Sequence, residues 1–240
     1  YLNPIEGYSI LSEEALEACR KVVDLDPEDP RAYFEVGEVY QKMGQLEEAL
    51  TNFNLAIQKD MTFVSAYFSM ARIRFDGRQF DEAVKLLQRV IRINPNYPKG
   101  YCELGNVYKE MGENEKALSN FKKVVELDLD YIEALIGIGE IYFTEASFDN
   151  ALVRFRRVLE LDPKHLLAHF RMAEIFEKRN LFHEAEAEYQ TAIKLCPEGL
   201  EIRFGMARLY KSNDRLAEAQ GTYEEILKLH PRHLETRLEL

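Results

Sequence analysis

The sequence predicts an all-α fold of stacked, antiparallel helix pairs. Three observations carry that prediction. A 34-residue motif recurs six times without insertion, as AYFEVGEVYQKMGQLEEAL (32–50), AYFSMARIRFDGRQFDEAV (66–84), GYCELGNVYKEMGENEKAL (100–118), ALIGIGEIYFTEASFDNAL (134–152), AHFRMAEIFEKRNLFHEAE (168–186) and IRFGMARLYKSNDRLAEAQ (202–220). Within each copy, apolar residues return at three- and four-residue steps, the period of an amphipathic helix. Turn-forming residues fall at two fixed places per copy, so each copy holds two helices. A catalytic motif appears once, where the chemistry is; a motif repeated six times solves a packing problem.

Six full blocks begin at Pro30, Val64, Pro98, Ile132, Leu166 and Leu200, and each is numbered here 1 to 34. Position 8 is always small: Gly37, Ala71, Gly105, Gly139, Ala173, Ala207. Position 20 is always alanine: Ala49, Ala83, Ala117, Ala151, Ala185, Ala219. Position 24 is large: Phe53, Leu87, Phe121, Phe155, Tyr189, Tyr223. Positions 4, 7, 8 and 11 share one helix face, as do 20, 24 and 27. Helix A is therefore expected over about positions 1–14 and helix B over about 18–31. The small residue at 8 facing the alanine at 20 lets the two backbones approach, and position 24 fills the space beside them.

Between the helices, Gly44, Gly112 and Asn180 suit a left-handed helix end, and Asp214 substitutes. Arg78 follows Gly77, which predicts a turn shifted by one residue; Ala146 is the poorest stop. Near position 32, Pro95, Pro163, Pro197 and Pro231 end helix B. Met61 and Leu129 replace that proline, with Asp60 and Asp128 to Asp130 supplying capping groups. Pro30 and Pro98 suit the first turn of helix A.

The blocks 30–63, 64–97, 98–131, 132–165, 166–199 and 200–233 make one continuous solenoid domain. Residues 1–29 read as a partial repeat: helix B alone over 12–25, with Ala15, Cys19, Val22 and Pro27 in phase, behind an irregular leader interrupted by Pro4 and Gly7. Residues 234–240 start a further helix. The chain opens at Tyr1 and stops at Leu240 inside a helical pattern, so we expect a piece of a longer product.

Small residue, alanine, aromatic and proline at these spacings resemble the tetratricopeptide repeat (TPR) over residues 12–240. The resemblance implies a right-handed superhelical solenoid whose A helices line a concave groove that holds a peptide. One departure is position 4, where the family often has tryptophan. Here it reads Tyr33, Tyr67, Tyr101, Leu135, His169 and Arg203, a drift from aromatic to polar that predicts looser packing in the last repeats.

Composition narrows function further. The net charge is −11, which disfavours a nucleic-acid backbone as ligand. Residues 1–29 carry −6 and block 64–97 carries +3. Cys19, Cys102 and Cys196 are far apart, with no metal or disulfide spacing, which favours a reducing, cytoplasmic setting. No stretch approaches eighteen apolar residues, so no membrane insertion is expected. Nucleotide-binding, zinc-protease and hydrolase motifs are missing, so we expect no enzyme and no cofactor. His165 and His169 lie four apart but have no third ligand in range, and His230 and His233 flank Pro231 in a turn.

Groove positions implied by the resemblance are 2, 5, 6, 9, 12 and 13. Position 5 holds Phe34, Phe68, Cys102, Ile136, Phe170 and Phe204. Position 9 supplies Glu38, Arg72, Asn106, Glu140 and Arg208; position 12 supplies Phe75, Lys109 and Phe143; Arg171 comes from position 6. Apolar pockets separated by charges suit a protein or peptide ligand with spaced apolar anchors. Aromatic residues at position 5 can equally pack between neighbouring A helices, whereas packing does not need the charges. The family's carboxylate clamp for chaperone C-terminal tails wants Lys at 5 and Asn at 9. Asn106 fits, but Cys102 occupies the lysine slot, so that tail is not an expected ligand. The asparagine ladder of glycosyltransferase arrays, at position 6, is missing.

A binding scaffold is the leading expectation. The alternatives are self-association through the incomplete N-terminal repeat, with Tyr8, Ile10 and Leu11 covering α-helical surface or entering a neighbour's groove, and service as the targeting arm of a larger enzyme such as a glycosyltransferase.

Overall fold

The computed structural model describes residues 4–239, with side chains from Glu14 onward. Among the described residues there are fourteen helices and no strand. After α1 (Pro4–Leu25) come six helix pairs: α2 (Pro30–Lys42) with α3 (Leu46–Lys59), α4 (Val64–Asp76) with α5 (Phe80–Ile93), α6 (Pro98–Glu110) with α7 (Asn114–Leu127), α8 (Ile132–Thr144) with α9 (Phe148–Leu161), α10 (Leu166–Lys178) with α11 (Phe182–Leu195), and α12 (Leu200–Ser212) with α13 (Leu216–Leu229). The short α14 (Leu234–Glu239) follows. Helix A thus covers positions 1–13 and helix B positions 17–30, each within a residue of the sequence expectation.

The chain divides into two compact units, one ending at Leu127 and the other beginning at Asp128. A single continuous domain was expected. Repeats that touch only their neighbours have no core running the length of the chain, so a boundary between two of them is open to the fold. Within each unit, helix A packs on its own helix B, and helix B packs on the next helix A, as in α3 with α4, α5 with α6, α9 with α10 and α11 with α12.

The core is one pattern repeated. Positions 20, 24 and 27 of every full helix B are buried, from Ala49, Phe53 and Ala56 to Ala219, Tyr223 and Ile226. Each fully buried phenylalanine among them removes enough apolar surface from water to stabilise by roughly 2–3 kcal/mol. Position 8 is small for a reason the sequence did not expose. A methyl on Gly37, Gly105 or Gly139 would meet first the ring of Phe53, Phe121 or Phe155 at position 24, not the alanine at 20. Where position 8 is Ala71, Ala173 or Ala207, position 24 is Leu87, Tyr189 or Tyr223. Position 3 was also missed: Ala32, Ala66, Gly100, Ala134, Ala168 and Ile202 are all buried.

The turns correct two expectations. Position 15 is left-handed in every block: Gly44, Gly112, Asn180 and Asp214, but also Arg78 and Ala146, each at φ 56°. Gly77 stays at φ −78°, so that turn is not shifted. Packing on both sides fixes a 34-residue register, and register outweighs the cost of placing a side chain at positive φ. Ala146 ends α8 without any compensating chemistry.

The helices α1, α3, α5, α7 and α9 end in an Asx turn. Asp26, Asp60, Asn94, Asp128 and Asp162 each accept, through Oδ1, from the backbone N–H two residues on. This ends the helix whether or not proline follows, and it leaves Met61 and Leu129 68% and 72% exposed.

Position 4 plays a role that its aromatic-to-polar drift concealed. Tyr33 donates to the carbonyl of Pro27 and Tyr67 to that of Met61. His169 Nε2 sits 3.1 Å from the Pro163 carbonyl, Arg203 Nε donates to Pro197 at 2.8 Å, and Arg237 donates to Pro231. Each side chain ties helix A to the turn six residues back. Polar residues at position 4 keep that donor, and Tyr189 and Tyr223 in the last repeats remain buried.

The N-terminal leader is helical rather than irregular from Pro4 on. Proline at the first helical position loses no intrahelical bond, and one interior glycine costs only about 1 kcal/mol. The side chains of Tyr8, Ile10 and Leu11 lie outside the described residues. Ala15 and Val22, in phase with the buried helix B positions, are exposed.

Candidate partner-binding surface

Each unit carries its own row of candidate residues on its A helices. In the first unit, α2 supplies Phe34 and Glu38, α4 supplies Phe68, Arg72 and Phe75, and α6 supplies Cys102, Asn106 and Lys109. Phe34 is half-buried, its ring 5.4 Å from both Phe53 and Phe63. Phe68 meets Tyr97 edge-on at 5.8 Å, and Phe75 lies 5.9 Å from Phe80. These phenylalanines therefore serve packing with one face and leave another toward solvent. Cys102 is only 5% exposed and is a packing residue, which corrects its place among surface contacts. Asn106 and Lys109 are half-buried.

Glu38 and Arg72 are exposed, and among the described residues neither takes part in an ion pair. Their sequence surroundings explain this. Successive A helices bring position 9 of one block near position 6 of the next, 31 residues on, and position 12 near the following position 9. Glu38 faces Ser69 by this rule, and Arg72 follows Gln41. Glu103 lies 31 residues beyond Arg72 but does not reach it.

The second unit fills the same slots with opposite charges, and they close on each other. Arg171 on α10 donates to Glu140 on α8, 3.1 Å away, and to Glu174 at 2.7 Å. Its guanidinium lies 5.1 Å from the Phe143 ring centre and 5.7 Å from that of Phe170, a cation held between two aromatic faces. Arg208 on α12 forks onto Glu177, with donor distances of 2.9 and 3.1 Å. Tyr189 donates to the same carboxylate at 2.8 Å. Burial, with Glu177 beside it, pushes the Tyr189 phenol well above its ordinary range. Phe143 packs on Phe148, Phe170 on Tyr189, and Phe204 on Tyr223 and His233. Ile136 is half-buried. Glu174 and Glu177 occupy groove positions 9 and 12 of their block; what sequence reasoning did not give is their pairing with arginine. The 31-residue spacing of Glu140 to Arg171 and of Glu177 to Arg208 was the signal for the pairs between helices.

The histidines have local duties. His165 caps α10, its Nδ1 accepting from Ala168 N–H at 3.4 Å, and His169 Nδ1 lies 2.5 Å from Glu188. Among the described residues no three potential ligands gather to hold a metal ion. No described helix is long and apolar enough to cross a membrane.

Family comparisons agree with this architecture. A family model for the TPR repeat matches residues 12–44, 71–112 and 105–145, and two tetratricopeptide-repeat models match 145–199 and 201–233. No curated protein matches the chain. Among solved structures, MamA is 27% identical, with a TM-score of 0.58 over 68% of this chain and 97% of its own. YrrB, a TPR protein with an unusual peptide-binding site, is 23% identical, with a TM-score of 0.64 over 78% and 97%. The C-terminal part of a TPR repeat-containing protein from Cytophaga hutchinsonii is 18% identical, with a TM-score of 0.75 over 95% and 94%. The repeat period, the helix pairs and these matches together show that the chain belongs to the tetratricopeptide-repeat family.

Proposed function

We propose that this chain is a non-catalytic scaffold for protein recognition, and that the A helices of its first unit hold a peptide with spaced apolar anchors and an acidic group. The observation that carries this is the face of α4. There Phe68 and Phe75, each half-buried, flank Arg72, which is exposed and unpaired. A cation between two partly open aromatic rings offers apolar contact and a charge-assisted hydrogen bond within one helix. The matching cations of the second unit, Arg171 and Arg208, are already held by the protein's own carboxylates. A ligand there has to displace an internal ion pair, whereas at Arg72 it does not. YrrB, a TPR protein with a peptide-binding site, supports peptide recognition as the mode.

The test is selection from a displayed library of random peptides against the whole chain, followed by binding of the enriched sequences to the F68A/R72A double variant. Enriched peptides should combine apolar residues with Asp or Glu, and the double variant should bind them at least about tenfold more weakly with unchanged helicity. Enriched peptides that bind both proteins equally would place the recognition surface elsewhere.

A further inference from the structure

We propose a second, separate docking surface: the side of α5 that carries Lys85, Arg89 and Arg92, recognising an acidic segment of a partner protein. Residues 83–102 hold four cations (Lys85, Arg89, Arg92 and Lys99) and no carboxylate, in a chain whose net charge is −11. Lys85, Arg89 and Arg92 recur at steps of four and three, so they line one side of the helix over about 10 Å. That side is free of the buried positions Ala83, Leu87 and Val90.

Two other B helices neutralise the cation at the position of Arg89. In α7, Lys123 at position 26 pairs with Glu126 at position 29, 2.9 Å away. In α9, Arg157 at position 26 pairs with Glu160 at 2.6 Å. In α5 position 26 is Arg89 and position 29 is a second arginine, Arg92. Like charges one turn apart destabilise an isolated helix, so this arrangement is not one that folding requires. Proximity to the helix C-terminus favours Arg92 but does not reach Lys85.

Among the described residues of the unit, nothing else quenches the row. Among the described residues Lys85 and Arg92 are exposed and enter no ion pair. Asp81, one turn before Lys85, does not reach it. Glu82 is taken by Arg74, 3.0 Å away on α4. Arg89 lies over the Tyr67 ring at 5.9 Å, which positions its guanidinium without neutralising it. On α6, which packs against α5, the nearest charge in sequence is Lys99, also exposed.

The occupant follows from charge and from what surrounds the row. An acidic protein segment matches three cations in line. A lipid surface fits less well: Met61, at the turn whose carbonyl accepts from Tyr67 beneath Arg89, is a single exposed apolar side chain, and membrane-surface binding calls for an apolar face. The net charge of −11 also repels an anionic membrane or a nucleic-acid backbone from the rest of the molecule.

The probe is a labelled helical peptide with Glu at i, i+4 and i+7, compared with its Gln counterpart by fluorescence anisotropy on the whole chain. Binding of the Glu peptide should be present at low salt and lost at high salt. It should fall at least about tenfold in the K85Q/R89Q/R92Q variant and be unchanged by R72A, which separates it from the α4 face. A second variant, K85Q/R92Q, leaves the Arg89–Tyr67 stack intact and should lose most of the same binding. Equal binding of the Glu and Gln peptides, or of the Glu peptide to wild type and both variants, would overturn the proposal. So would capture by vesicles of phosphatidylcholine and phosphatidylserine without any binding of the acidic peptide, which would make the row a lipid contact.

Discussion

The pairing of glycine at position 8 with phenylalanine at position 24 makes a quantitative prediction for Gly105→Ala. The new methyl would lie 2.7, 2.8 and 3.0 Å from Cε1, Cδ1 and Cζ of Phe121. Comfortable carbon contacts are about 3.5–4.0 Å, and the Phe121 ring is fully buried. Overpacking of this kind costs about 1–3 kcal/mol, and the rigidity of the ring places it near the top. Replacing a helical glycine by alanine returns about 1 kcal/mol. The net expectation is a loss of about 2 kcal/mol. Phe121→Leu alone should lose a similar amount, about 2 kcal/mol, through buried apolar area. The double variant reproduces the Ala71–Leu87 pair of the second block, so its loss should be well below the sum, with a coupling of about 2 kcal/mol. Repeat arrays need not unfold in one step, so the assay is hydrogen exchange of the α6 and α7 amides, supported by urea midpoints. A coupling within about 0.5 kcal/mol of zero would mean that methyl and ring do not compete and that the pairing across blocks is coincidence.

Two further outcomes follow from features of the turns and the buried phenols. Ala146→Gly and Arg78→Gly should each raise stability by about 1 kcal/mol, because both residues hold φ 56°; unchanged urea midpoints would show the turns are unstrained. Burial, with a hydrogen bond to Glu186, pushes the Tyr210 phenol from its usual 10 up to about 12. The folded chain then holds that proton while the unfolded chain releases it, so stability is full below about pH 10 and declines toward about pH 12. Tyr210→Phe should flatten part of that decline, and tyrosinate absorbance in the folded protein should lag behind the unfolded one; parallel pH–stability curves for the two proteins would refute it.

Most of the fold was legible because it is written six times. The alanine at position 20, the large residue at 24 and the small one at 8 define both helices and their contact, and no single block could have done so. What stayed hidden depends on relations between blocks or on the backbone. Arg78 taking the left-handed position beside an available Gly77 shows register overriding local preference. The tie from position 4 was concealed because Tyr67, His169 and Arg203 look unlike one another while donating to equivalent carbonyls. The candidate surface was less legible than the fold. Composition names Phe68, Arg72 and Cys102 alike, but only geometry separates an exposed arginine from a buried thiol. The charge pairs of the second unit need the 31-residue spacing, which is a property of stacked helices rather than of any one helix.

The position 4 tie also bears on how such a chain can change length. Its donor is a side chain, but its acceptor is a main-chain carbonyl, which every residue supplies equally: Pro27, Met61, Pro163 and Pro197 all serve. A 34-residue cassette with a donor at position 4, duplicated or deleted at a turn, finds a working acceptor in whatever precedes it. Growth by tandem duplication therefore requires no matched second mutation at this junction, and the residue at position 32 is free to drift once copied.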